Sequence, residues 1–218
     1  MIRVLLVDDQ HLVRAGLRML CESAADIEVV GEADSGASAV RAVDTTAPDV
    51  ILMDLHMPGI DGVSATRRIT ASRPSTRILV LTTFDDDDRL YPSLEAGVCG
   101  FLAKSAAPDL LLESIRRAAD GDSPFRPHLL LRVVTAAVTA RRVADRASEP
   151  DSLVGLTPRE RETAILVGEG LSNAEISGRL RMGITTVKTH GASAMAKTGS
   201  DNRVQLAVTV VRARVTSD

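Results

Sequence analysis

Residues 3–23 read RVLLVDDQHLVRAGLRMLCES. A short run rich in Val and Leu gives way after Val7 to two aspartates. Apolar residues then return every three to four positions. The first part predicts a strand, and QHLVRAGLRMLCES predicts an amphipathic helix. Strand, acidic junction and helix together make one βα unit, and the rest of the first half can be tested for repetition of it.

The unit does recur. IEVVGEA (27–33), DVILM (49–53), RILVLT (77–82) and VCGFLA (98–103) have the β-branched character of strands. SGASAVRAVDTT and IDGVSATRRITAS carry helical apolar spacing, and PDLLLESIRRAADG closes the set with Pro108 near its start and Gly121 at its end. Five βα units in succession predict an α/β fold, a doubly wound five-stranded parallel sheet over residues 1–122.

After Gly121 the pattern changes. SPFRPH is rich in breakers, LLLRVVTAAVTARRVADRA looks helical, and SEPDSLVG is a polar loop, so residues 123–152 read as a linker with a helix. From Leu156 only helical patterns follow. In LTPRE, Thr157 is placed as N-cap, Pro158 at the first helical position and Glu160 as the closing residue of a capping box. GLSNAEISGRL gives a short helix capped by Ser172, Arg181-Met182-Gly183 a tight turn, and TTVKTHGASAMAKTG (185–199) a longer helix. A last helix runs from Asn202 to Arg214. Two helices across a short glycine-containing turn form a helix-turn-helix, so residues 153–218 are read as an all-α DNA-binding domain.

Composition narrows the possibilities. The chain has 218 residues, 44% apolar and 25% charged, which suffices for a packed core. Aromatics are only 2% with no Trp, so the core must be aliphatic and base-stacking platforms for single strands are not expected. The net charge is −3, with acids in excess in the first half and bases in the second, which suits a second domain facing an anionic partner. Cys21 and Cys99 fit no metal or disulfide spacing and read as free thiols of a reducing compartment. With no secretory or membrane-spanning stretch, the expectation is a cytoplasmic protein that does not engage a membrane.

In a doubly wound sheet, loops at the carboxyl ends of the strands converge on one crevice. Asp8 and Asp9 follow the first strand and Asp54 the third. Three carboxylates at one place repel unless a hard cation lies between them, and Mg²⁺ suits a few oxygens plus water. Thr82 ends the fourth strand and Lys104 follows the fifth. A hydroxyl and an ammonium at the same rim can bind the oxygens of a phosphoryl group carried by Asp54.

VDD, MDLHMPGIDG, LT and the lysine of FLAKS resemble the receiver domain of bacterial response regulators. LTPRERE, GLSNAEI and TVKTH resemble the LuxR-type helix-turn-helix, so the whole chain outside the linker is similar to the NarL/FixJ family. The resemblance implies that Asp54 is the phosphoacceptor for a sensor histidine kinase. It implies that Asp8, Asp9 and Asp54, with the backbone carbonyl of His56, hold Mg²⁺. Lys104 would neutralise developing charge, Thr82 would turn toward the phosphoryl group, and Phe101 would swing inward as part of the switch. Phosphorylation would control dimerisation and sequence-specific binding to double-stranded DNA, with RNA polymerase as a further partner.

On helical spacing, Val187, Gly191, Ala194 and Thr198 share one face of the 185–199 helix, which should pack on its own domain. Lys188, Thr189 and Ala192 fall opposite, and the resemblance gives them the base-reading or near-base positions. Thr186, Asn173, Ser172, Lys197 and Arg203 are candidate phosphate contacts. The buried face is built from residues smaller than those the family usually has, which predicts closer helix packing or a less stable C-terminal domain. Pro92 predicts a fourth helix that begins late or is distorted, with the segment 85–92 ordering on phosphorylation. Two rivals remain: a signalling interaction module whose DNA-binding domain has drifted, and a phosphoryl-aspartate hydrolase. His56, standing two residues after Asp54 where such an enzyme has a second acid, argues against the hydrolase, so no enzyme is expected.

Overall fold

The computed structural model describes residues 1–82, 87–123, 153 and 155–215. The chain divides into two compact units, Met1–Pro124 and Phe125–Asp218. The helix expected within the linker falls outside the described residues.

In the first unit the strands are β1 (Ile2–Val7), β2 (Ile27–Ala33), β3 (Val50–Asp54), β4 (Arg77–Thr82) and β5 (Gly100–Ala103). They form one parallel sheet in the order β2-β1-β3-β4-β5. The helices between and after them are α1 (His11–Glu22), α2 (Gly36–Thr46), α3 (Gly62–Ser72), α4 (Asp87–Glu95) and α5 (Pro108–Ala119). Every residue of β3 is buried, as expected of a central strand covered on both faces. Val4, Leu6, Val50, Leu52, Leu79, Leu81 and Ile115 form one continuous aliphatic core. Cys21 and Cys99 lie in the same core, and burial raises their thiols to about 11 and about 12.

Three boundaries differ from the sequence reading. Asp54 is the last residue of β3, paired with Leu81, and so lies one step deeper than expected. β5 starts at Gly100, because Val98 still closes the end of α4 by donating to the Ser93 carbonyl. Pro92 sits inside α4, neither in its first turn nor before it. The Pro92 carbonyl still accepts from Ala96, while the hydroxyl of Ser93 turns back to the Arg89 carbonyl at 2.7 Å.

The second unit contains α6 (Pro158–Gly168), α7 (Asn173–Leu180), α8 (Ile184–Thr198) and α9 (Arg203–Val215). Thr157 and Glu160 make the reciprocal capping box at the start of α6. Ser172 and Glu175 make a second one at the start of α7, where the sequence reading placed only the serine. Arg181 closes α7 in the left-handed region at φ 53°, and Gly183 begins α8 without a side-chain cap. Val187, Gly191 and Ala194 are the buried residues of α8. Packing at Gly191 is not close, however: among the described residues, a methyl group built there meets nothing within 4 Å. The tight helix approach occurs instead at Gly168, whose added Cβ would lie 3.1 Å from Val210 on α9.

Candidate functional site

The sheet order reverses direction between β1 and β3, and the crevice of such a fold opens at the carboxyl ends of those strands. Asp8 leaves β1 there and Asp54 ends β3. Both carboxylates are fully buried within the rim, whereas Asp9 is exposed. Asp8 is fixed by the backbone: its Oδ1 accepts from the amide of Gln10 at 2.9 Å, and its carbonyl accepts from Arg14 at 2.6 Å.

Lys104, just after β5, bridges the two acids. Its ammonium lies 2.7 Å from Asp8 Oδ2 and 3.1 Å from Asp54 Oδ1. The backbone amide of Lys104 donates to the Thr82 carbonyl at 2.8 Å, so the ends of β4 and β5 hold the lysine stem in place. Burial raises the Asp54 carboxyl above its ordinary range, against the opposing pull of Lys104. Burial alone would lower Lys104, but the two carboxylates outweigh it and leave the ammonium raised.

Among the described residues, the second oxygen of Asp54, Oδ2, is buried with no hydrogen-bond partner. Leaving such an oxygen unmatched is costly, so it marks a place for a ligand. Asp8, Asp9 and Asp54 each offer an oxygen within 4.8 Å of the others, an all-oxygen donor set that suits a hard divalent cation such as Mg²⁺. The carboxyls fit that group, and the expected fourth donor, the His56 carbonyl, follows two residues after Asp54.

The loop after Asp54 is shaped by close backbone approach. A side chain on Gly62 would run into the Asp54 carbonyl, and one on Gly36 into the Ile60 carbonyl. Asp61 caps α3 through the Ser64 amide at 2.8 Å. Arg89 from α4 reaches the Leu55 carbonyl at 3.2 Å and Asp61 at 3.3 Å. The sequence reading did not find Arg89, because no local pattern distinguishes it from a surface arginine.

Thr82 and Phe101 are both buried, at 8% and 2% exposure. The expected inward swing of Phe101 therefore does not begin from an outward position here. Its phenyl ring has no hydroxyl to keep in water, which favours the buried setting.

In the second unit the expected DNA contacts separate into two groups. Thr186, Lys188, Thr189 and Ala192 are exposed on α8. The other four are engaged within the domain. Ser172 caps α7 and donates to Glu175 at 2.7 Å. Asn173 is buried and accepts from Arg203 at 2.7 Å, while Arg203 also donates to the Leu171 carbonyl at 2.6 Å. Lys197 meets Glu160 at 2.7 Å. Polar residues expected to reach outward thus tie the starts of α6 and α7 to α8 and α9.

Residues 4–116 match the family described as the response regulator receiver domain, and residues 154–210 match the bacterial regulatory proteins of the luxR family. The chain is 41% identical over 208 residues to the transcriptional regulatory protein LiaR of Bacillus subtilis (strain 168), covering 95% of this chain and 96% of that protein. It is 36% identical over 207 residues to the response regulator protein VraR of Staphylococcus aureus (strain Mu3 / ATCC 700698), with 95% of each covered. Among solved structures, the response regulator ChrA of a heme-sensing two-component system matches with TM-score 0.51 and 34% identity over 98% of both chains. A structure of two RcsB dimers bound to two parallel DNAs matches with TM-score 0.53 and 26% identity, covering 97% of this chain and 98% of that one.

Proposed function

The chain belongs to the two-component response regulators that join a receiver domain to a LuxR-type DNA-binding domain, and we propose that Asp54 is the phosphoacceptor through which a sensor histidine kinase controls it. It is a transcription regulator. The observation that carries the assignment of Asp54 is the buried Oδ2, which has no hydrogen-bond partner among the described residues, beside Lys104 and within reach of two further carboxylates. An Asp54 oxygen forms a bond to phosphorus as the phosphorus–nitrogen bond of a phosphohistidine breaks. The leaving imidazole nitrogen keeps the electron pair and takes up a proton.

Asp8, Asp9, Asp54 and the His56 carbonyl are the groups that would hold Mg²⁺, which supplies positive charge to the transferred oxygens. Lys104 then moves from a bridge between two acids to a partner of the new dianionic group. Thr82 adds a hydroxyl at the same rim, and Phe101 is the aromatic residue whose setting follows it.

Phosphorylation would promote dimerisation and binding of paired half-sites in double-stranded DNA, with RNA polymerase contacted from there in the cytoplasm. Among the described residues no helix is long and apolar enough to cross a membrane. The exposed face of Thr186, Lys188, Thr189 and Ala192 supports major-groove reading. The four residues engaged inside the domain leave that face small, which is what favours the second reading, an interaction module with a drifted DNA-binding domain.

A DNA-selection assay on wild type and Asp54→Ala, each with and without a small acyl phosphate donor, separates the readings. Enrichment of one sequence by donor-treated wild type alone is expected. Equal binding in all four conditions would overturn phosphorylation control, and no enrichment in any condition would favour the drifted module.

A further inference from the structure

We propose that Arg89 is a positioning residue that ties the loop after Asp54 to the first turn of α4, and that Pro92 lets this turn move with the loop while the rest of α4 stays fixed. The inference rests on the reading of Asp54 as phosphoacceptor, but the linkage itself is a property of the unphosphorylated chain.

Three observations meet here. Arg89 donates to the carbonyl of Leu55, the residue directly after Asp54, and to the carboxylate of Asp61, which caps α3. One guanidinium therefore grips both ends of the loop, and its planar set of donors suits two acceptors in different directions. The loop has little other freedom, because Gly62 lies against the Asp54 backbone and Gly36 against Ile60. A displacement at Asp54 is passed to Leu55 and from there to Arg89.

The far half of α4 is anchored separately. Leu94 is buried at 3% exposure and Ser93 is fully buried. Thr70 on α3 donates to the Ala96 carbonyl at 2.8 Å, and Gly97 leaves no room for a side chain beside Thr70. Between the two halves stands Pro92, which has no amide to donate to the carbonyl four residues earlier. The ladder of hydrogen bonds is thus thinned between the turn held by Arg89 and the segment held by Thr70. An uninterrupted helix would transmit or resist the pull as a rigid rod, whereas this one can bend at its proline.

The test is amide hydrogen exchange on the full chain, read by mass spectrometry for residues 55–62, 87–91 and 93–96, with and without Mg²⁺ and beryllofluoride. Wild type, Arg89→Met, Arg89→Lys and Pro92→Ala are compared, with thermal unfolding as a check on folding. In the unliganded state, Arg89→Met should speed exchange in 55–62 by about tenfold or more, since both of its charge-assisted hydrogen bonds are lost. Arg89→Lys should restore part of it. On adding beryllofluoride, wild type should change in 55–62 and 87–91 together. Arg89→Met should keep the first change and lose the second, and Pro92→Ala should spread the change into 93–96. An 87–91 response in Arg89→Met equal to wild type overturns the linkage. No response at 55–62 in wild type overturns the phosphoacceptor reading instead, while unliganded exchange in Arg89→Met still decides the linkage.

Discussion

Replacing Gly191 with alanine should stabilise the DNA-binding unit. Gly191 is buried on α8, yet an added Cβ meets no atom of another element within 4 Å among the described residues, so the methyl group enters unfilled space. Glycine inside a helix costs about 1 kcal/mol relative to alanine. A buried methyl contributes up to about 0.8 kcal/mol more, less where walls are too distant to make full contact. The expected gain is therefore about 1–2 kcal/mol. Native-state hydrogen exchange on the full chain reads this locally, as slowing of roughly five- to thirtyfold in the most protected amides of α6 to α9. DNA affinity should hardly change, because Ala192, Lys188 and Thr189 are exposed while position 191 is buried. Unchanged or faster exchange would refute the reasoning, since it would mean that the space around Gly191 closes in solution.

Gly62→Ala should act oppositely: its methyl meets the Asp54 carbonyl, and a loss of about 1–3 kcal/mol with slowed phosphoryl acceptance is expected in denaturation and acyl-phosphate assays. The Arg116 guanidinium hydrogen-bonded to Asp26 holds that carboxyl down at about 2. Its folded value lies below the unfolded one of about 3.9, so this stabilisation is present above about pH 4 and lost as pH falls through about 2. Arg116→Gln should flatten unfolding stability over that window, and an unchanged acid limb would count against the pair. Lys188→Ala should weaken DNA binding and reduce its salt dependence by about one counterion. Arg203→Met should instead lower the melting temperature of the second unit, since Arg203 bonds Asn173 and the Leu171 carbonyl. An Arg203→Met variant that binds DNA weakly at unchanged stability would instead support the phosphate-contact reading.

The sheet was legible because its information is local. Apolar runs of strand length recur five times with helical spacing between them, and each unit is short enough to read without knowing its neighbours. The converging rim was legible for the same reason, as strand ends in this architecture meet at one crevice. What escaped were long-range partners. Arg89 and Leu55 are 34 residues apart, and Lys197 and Glu160 are 37 apart. Nothing in periodicity says which polar side chains will bond within the unit, so the ties of Arg203 to Asn173 and of Lys197, itself exposed, to Glu160 were not legible among the candidate phosphate contacts. Gly191 was placed on the correct face, but a pattern of small residues cannot distinguish a close helix crossing from space left open. That distinction depends on the volume of neighbours from other helices.

The two buried thiols have a practical consequence for anyone wishing to follow this protein in motion. With values near 11 and 12, well under one part in a thousand of either sulfur is thiolate at neutral pH, and both are shielded from solvent. Maleimide dyes and spin labels should therefore ignore the natural chain. A single cysteine introduced at an exposed position would take the probe selectively, with no need to delete Cys21 or Cys99 and leave holes in the core. With one such cysteine in each unit, distances between the two, before and after the acceptor is loaded, become measurable on an otherwise unaltered sequence.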